Sequence, residues 1–442
     1  MSFRKTKMPL VLVAILTVCL LLSVFGTIQA EQVTLKVLNY LDASQASSER
    51  EIKDIWEAFE KANPEIKIER EDQFNEPFHQ RVASLVAAGN LPDVIYMYPG
   101  GRSAALHKNR LVKDLRPFLG DTAKEFLPAA LVNQAGGYLA EIPIGLTSSH
   151  ALYINNKMLS DLKLSVPKTY AELKAQVKKL QAAGKDTVLM AFQDQWVGQS
   201  CLFSMIAGRL CGDKFFDDVL AGKAKFTDKQ FVSALRFFQQ LFTDGVLSRK
   251  NMLTPYGTVP GLFAAGNAPY LIDGDWRAGA FIVDPTTKQA LIPVSEQKNY
   301  TMTIFPAIPG EINHETTSGT PATGFGMNAK IPAGSAKEKA AWKLISWLVG
   351  PEAQKVRLEI GAAFPSRIGI TSEKLEPIMQ TRAAFYSKFK STTYVLDSLL
   401  DPQVCTPINV GLQELGLGTT TPEKVAANTQ KALEAWRAAQ KK

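Results

Sequence analysis

The stretch "GLFAAGNAPYLIDGDW" (261–276) sets two carboxylates, Asp273 and Asp275, beside Trp276. Two acids next to an aromatic ring could be half of a hydrolase site. They could equally be the wall of a pocket that binds a ligand and leaves it unchanged. A glycosidase needs two carboxyl groups facing each other across one bond, at about 5–5.5 or about 6.5–9.5 Å. Side chains two apart on a strand point to opposite faces. If the strand continues, at most one of these acids addresses a ligand, which weighs against an acid/base pair; Asp275, next to the tryptophan, is the expected one. Gly274 lets backbone or ligand come close. Trp276, on residue type alone, reads as core, since tryptophan is mostly buried.

Other constellations fall at the ends of apolar runs. "MAFQDQW" (190–196) presents Gln193, Asp194 and Trp196 where α/β sheets commonly hold ligands; a helix cap at Asp194 with Trp196 packed beneath explains the pattern as well. In "MYPGGR" (97–102), Tyr98 could stack on a ligand and Arg102 could donate two hydrogen bonds, with a solvated arginine as the competing reading. "NYLD" (39–42) and "QFN" (73–75) supply Asn39, Tyr40, Asp42, Gln73 and Asn75, each also explained by loop solvation. His79, His107, His150 and His314 show no metal-ligand spacing, so neither a metal nor another cofactor is expected.

The elements that position these residues are legible from periodicity. "VTLKVLN" (33–39) alternates as a half-buried strand does. Ser47 or Ser48 can cap a helix carrying Ile52, Ile55, Trp56 and Phe59 on one stripe, and Asn63-Pro64 stops it before the strand "EIKIER". A helix over about 77–88 ends at Gly89, and "PDVIYMY" (92–98) reads as a strand buried on both faces. This order predicts an α/β unit with a largely parallel sheet. Further on come two strand-like pieces within 140–159, an amphipathic helix over 166–184, a short buried strand at 187–192, and a mostly helical run to 246. The strand "YTMTIFPAIPG" (300–310) and a helix at 340–354 follow, and the tail is helical. Trp56, Trp342, Trp347 and Trp436 sit on helical stripes and read as packing residues.

The first residues predict the compartment. Arg4, Lys5 and Lys7 precede an apolar run from Pro9 to Ile28 that ends in "TIQA", the order of a secretory signal cleaved after about Ala30. An uncleaved anchor is the alternative, since about 20 apolar residues span a bilayer. Cleavage would leave 412 of the 442 residues and lower the formal charge from +8 to +5, because the leader holds three cations and no acids. That length suits two to three domains. Lys and Asp/Glu are interspersed without a basic block, which excludes a nucleic-acid footprint. Cys201, Cys211 and Cys405 are an odd number, and ten helical residues between the first two would span about 15 Å, too far for a disulfide. They are expected as buried free thiols.

Taken in order, several segments resemble the extracellular solute-binding proteins (family 1) of ABC sugar importers, the family of maltodextrin-binding protein. "IWEAFEKANPEIKIE" resembles its helix–Asn-Pro–strand opening, and "AAGNLPDVIYM" its Gly-x-x-Pro-Asp strand entry. "EIPIGLTSSHALYINNKML" resembles its crossover between lobes, and "LFAAGNAPYLIDGDW" its Phe-x-x-Gly-x-Ala-x-x-x-x-x-Gly-x-Trp signature. "AAWKLISWLVGPEAQ" with "GAAFPSR" resembles its late helix and Pro-x-Arg loop. Pro269 departs from the family's usual methionine, and Met97 stands where some relatives place an aromatic residue; both bear on the ligand, not the fold.

The resemblance implies an α/β, two-lobed periplasmic-binding-protein fold (type II), with mixed sheets flanked by helices and joined by a hinge. By analogy, one lobe holds 31–144 and 303–350 and the other 145–302 and 351–442, behind a signal at 1–30. It implies a monomer that captures a carbohydrate and delivers it to the permease subunits of an ABC importer without doing chemistry. A sugar presents an apolar C–H face and a fringe of hydroxyls, so its site needs aromatic surface and convergent polar groups. The resemblance moves Trp276 from core to cleft, with Asp275 and Gly274 beside it. Trp196, Asp194, Tyr98, Arg102, Tyr40, Asp42 and Gln73 are the other expected contacts. Ser148, in "LTSSH" at the crossover, and Phe364, in "AAFPS", complete the set. The rival readings are a binding protein for another solute, a secreted glycosidase, and a purely sensory receptor.

Overall fold

The computed structural model describes residues 32–43, 47–98, 100–131, 138–321 and 323–440; the predicted signal at 1–30 lies outside them. In chain order the strands are β1 (Val33–Tyr40), β2 (Ile66–Gln73), β3 (Val94–Met97), β4 (Ile142–Pro143), β5 (Leu146–Ser148), β6 (Ala151–Asn155), β7 (Val188–Leu189), β8 (Tyr270–Asp273), β9 (Tyr300–Thr303), β10 (Thr316–Pro321), β11 (Gly324–Met327) and β12 (Ser391–Thr393).

The opening β-α-β-α-β pattern builds one sheet in the order β2-β1-β3-β11-β4. Its first three strands are parallel, as the intervening helices require, and β11 returns antiparallel to β3. A second sheet, β7-β8-β6-β9, is mostly antiparallel. Between them, β10 pairs antiparallel with β5 and parallel with β12. The sheets are therefore mixed. Helices follow the local signals: Thr169 caps the helix Tyr170–Ala182 by accepting from the Glu172 amide, the capping chemistry that Thr-x-x-Glu predicts. The helix expected from Ser47 runs on through a π turn, Ile52–Glu57, to Ala62.

Apolar side chains collect in two cores. One gathers Leu35, Trp56, Val94, Ile142, Phe325 and Leu344. The other gathers Leu152, Phe192, Phe238, Leu271, Phe305 and Leu433. Following core membership, the chain leaves the first core between Ile144 and Ala151 and returns between Ile308 and Phe325. It leaves again near Ile360, although Ala363 still packs on the first core. Cys201, Cys211 and Cys405 are buried free thiols. No helix of the described residues is long and apolar enough to cross a membrane.

Candidate functional site

A cavity of about 260 Å³ is lined by residues belonging to both cores. On the first-core side, β1 ends in Tyr40 and β3 is followed by Tyr98. Tyr40 stacks on Tyr96 at 5.5 Å between centroids and meets Tyr98 edge-on at 5.5 Å. Burial pushes the Tyr40 hydroxyl up to about 12 and those of Tyr96 and Tyr98 further above their usual range. All three remain neutral hydroxyls at neutral pH. His79 lines the same wall; burial and the nearby Arg102 hold it down to about 3, so it is an uncharged imidazole.

The second-core side carries Trp196 and Trp276, with ring centroids 6.5 Å apart and planes 36° apart. Tyr256 ties them together: its ring lies 5.0 Å from Trp196, and its hydroxyl accepts from Trp276 Nε1 at 2.7 Å. That hydroxyl donates to Asp273 Oδ1 at 3.3 Å. Gly274 has a definite steric role, because a Cβ there would lie 2.2 Å from the Trp276 ring. The close approach expected at Gly274 is made by the tryptophan itself.

Contacts bridge the two sides. Asn75 Nδ2 donates to Asp194 Oδ1 at 2.9 Å. Arg102 reaches Asp397 and Glu76, each at 3.4 Å, and Ser200 Oγ donates to Asp397 at 2.7 Å. Gly100 and Gly101 lie so close to the 398–400 backbone that a Cβ would come within 1.8 Å of the Ser398 carbonyl oxygen or 2.1 Å of the Leu400 one. Two further charged lining residues are paired: Glu51 with Arg357 at 2.8 Å and Arg277 with Asp273 at 2.7 Å.

Of the residues expected from sequence, Trp276, Trp196, Tyr98, Arg102, Tyr40 and Asp42 line this cavity, as does Asn75. The others stand elsewhere, for identifiable reasons. Asp275 is 0 % exposed, and its carboxylate accepts from Arg382 Nε at 2.9 Å, Tyr386 Oη at 2.6 Å and the Ser148 amide at 3.1 Å. It joins the second core to the crossover strand instead of facing the cavity. Asp273 is likewise buried against Arg277, so neither acid of the Asp-Gly-Asp run lies free at the wall. Ser148 faces away from the cavity, and its sequence neighbours Thr147 and Ser149 line it, as strand alternation dictates. Asp194 is held by Asn75 and by the Tyr256 amide at 2.9 Å. Gln73 donates to Glu71 at 3.3 Å. Phe364 stacks on Tyr386 at 4.4 Å, leaving Gly361 and Ala362 at the cavity.

Tyr96, Tyr256, Arg277 and Asp397 line the cavity without having been singled out. Tyr96 carried a signal, standing two residues before Tyr98 on the same strand run. Tyr256 and Asp397 are brought in by long-range folding and carried none.

Two separate cores, strands running between them, and an aromatic cavity walled from both sides define a cleft-type receptor for a small molecule. The chain belongs to the bacterial extracellular solute-binding protein family, whose model matches residues 43–355. Among solved structures, it resembles a protein described in work on xylan utilization by the thermophilic bacterium Caldanaerobius polysaccharolyticus: 22 % identity, 90 % of this chain and 99 % of that one, TM-score 0.80. A chitin oligosaccharide binding protein aligns at 20 % identity over 92 % and 99 % of the two chains, TM-score 0.79. The maltose/maltodextrin-binding domain from Bdellovibrio bacteriovorus, bound to maltotriose, aligns at 18 % identity over 92 % and 100 %, TM-score 0.71. No curated protein matches the chain significantly in sequence.

Proposed function

We propose that this solute-binding protein captures an uncharged carbohydrate between two hinged lobes and hands it to the permease of an ABC importer, performing no chemistry itself. The observation that carries this reading is the pairing of aromatic walls from the two sides, Tyr40 with Tyr98 and Trp196 with Trp276, in a cavity where four of the charged residues, Glu51, Arg102, Arg277 and Asp397, already have ionic partners. Aromatic faces suit the C–H faces of a sugar, and neutralised charges leave hydrogen bonding, not net attraction, to select it. The similar proteins described for chitin oligosaccharides and maltotriose support the same class of ligand.

The lobes of this reading are 31–144 with 303–350 and 145–302 with 351–442. The two cores support the division, with Phe305 and Ile308 joining the second and Ala353 and Ala363 the first. Ligand preference for the closed arrangement drives closure. The leader at 1–30 directs export and is cleaved near Ala30, and the mature chain works as a monomer. Calorimetric titration of wild type and Trp276→Ala with xylobiose, diacetylchitobiose and maltose tests the site: wild type binds at least one sugar, and the variant loses that binding while staying folded. Unchanged affinity in the variant returns Trp276 to a packing role.

A further inference from the structure

Asp194 immediately precedes the short helix Gln195–Gly198, yet its side chain caps no amide of that helix. Both carboxylate oxygens turn to distant partners instead. Oδ1 accepts at 2.9 Å from Nδ2 of Asn75, a cavity-lining residue 119 positions earlier and on the other side. Oδ2 accepts at 2.9 Å from the amide of Tyr256, 62 positions later. That amide opens the 3-10 turn Tyr256–Thr258, and the first N–H groups of a helical turn have no partner within it. Asp194 supplies the acceptor, and so ties the Tyr256 backbone to Asn75.

From that backbone the Tyr256 side chain, 7 % exposed, reaches both tryptophans. Its ring lies 5.0 Å from that of Trp196 and 3.7 Å from the Arg277 guanidinium. Its hydroxyl accepts at 2.7 Å from Trp276 Nε1, the one donor an indole has. Gly274 leaves the Trp276 ring the space that a Cβ would fill. A chain of contacts thus runs from Asn75 through Asp194 and Tyr256 to Trp276. Its first link crosses the cavity, and its last holds an aromatic wall.

We propose that Asp194 and Tyr256 are positioning residues that couple the contact across the cavity to the placement of the Trp276 ring. This rests on the carbohydrate reading above in one respect only: the ring so placed is the surface on which the sugar packs. Breaking the chain at either end displaces the same ring, so the two ends do not contribute independently to binding.

Fluorine NMR of the full mature protein labelled with 5-fluorotryptophan reads the ring directly, because six tryptophans give six lines and Trp276→Phe identifies one of them. Tyr256→Phe removes the hydroxyl and keeps the ring. Asn75→Gly removes the amide, at a left-handed φ that glycine adopts freely. Both are expected to move the Trp276 line, Asn75→Gly doing so through Asp194 and Tyr256. In calorimetric titrations with xylobiose, N,N′-diacetylchitobiose and maltose, each is expected to weaken binding of the recognised sugar by about tenfold, the range for one hydrogen bond. The double variant should lose less than the product of the two. Tyr300→Phe removes a buried hydroxyl that accepts from Asn155 in the same core, away from the cavity. It is expected to lower the melting temperature and leave the Trp276 line and the affinity unchanged. An unmoved Trp276 line in Asn75→Gly, with and without sugar, overturns the proposal while the carbohydrate reading stands. Losses that multiply in the double variant, or an equal shift in Tyr300→Phe, do the same. If wild type binds no sugar, the carbohydrate reading fails, and the fluorine lines still decide the coupling.

Discussion

The Asn75 side-chain amide donates to Asp194 Oδ1 at 2.9 Å, tying the helix that follows β2 to the start of the short helix Gln195–Gly198 that carries Trp196. Asn75 holds a left-handed φ of 56°, a conformation that asparagine tolerates and glycine adopts freely. Asn75→Gly therefore removes the clasp without adding backbone strain. It is expected to lower sugar affinity by up to about tenfold, the range for one hydrogen bond, with most of the change in the dissociation rate. Stopped-flow fluorescence checks this; an unaltered dissociation rate would show that the bond does not hold the closed arrangement.

The Gly101 contact gives a steric test of closure. A Cβ there would lie 2.1 Å from the Leu400 carbonyl oxygen, and backbone cannot yield as a flexible side chain does. Gly101→Ala should fold normally but fail to bring the two sides fully together. Small-angle scattering should then give no compaction on adding a sugar that compacts wild type.

Asp275 makes a stability prediction where the sequence suggested a ligand contact. Removing its carboxylate leaves the guanidinium of Arg382, itself 0 % exposed, without its ionic partner. Asp275→Ala should cost about 3–5 kcal/mol, the usual penalty for breaking a buried pair. Urea unfolding measures it, and a change below about 0.5 kcal/mol, typical of surface sites, would contradict the assignment.

His150 predicts a pH dependence. Burial, with the nearby Arg209, holds its imidazole down to about 3, well below the unfolded value of about 6.5. The unfolded chain thus binds a proton that the folded one refuses. The contribution is fully present above about pH 6.5 and is lost as pH falls toward 3, at about 1.4 kcal/mol per pH unit. His150→Asn should flatten the stability profile between pH 6 and pH 4 by that slope, read from urea unfolding at several pH values. An identical profile would mean His150 charges without penalty.

Much of this was legible in the chain because it is local. The alternation in 33–39, the Thr-x-x-Glu cap at Thr169 and the aromatic residue closing β1 need only neighbours in sequence. The fates of Asp273 and Asp275 did not follow from their spacing. The strand ends at Asp273 and Asp275 opens a 3-10 helix, so strand alternation does not relate them; the two acids are instead separated and buried because Arg277 wraps back from the next turn and Arg382 arrives from 107 residues away. Tyr256 and Asp397 enter the cavity in the same long-range manner, with no flanking pattern to mark them.

The most direct measurement is a thermal-shift screen of the mature protein against mono- and oligosaccharides, amino acids, polyamines and divalent metals. A ligand at 100 times its dissociation constant stabilises by about 2.7 kcal/mol. A shift with one or more neutral sugars, abolished by Trp276→Ala, is the predicted result. A shift with amino acids, polyamines or metals, and none with any sugar, would contradict the account.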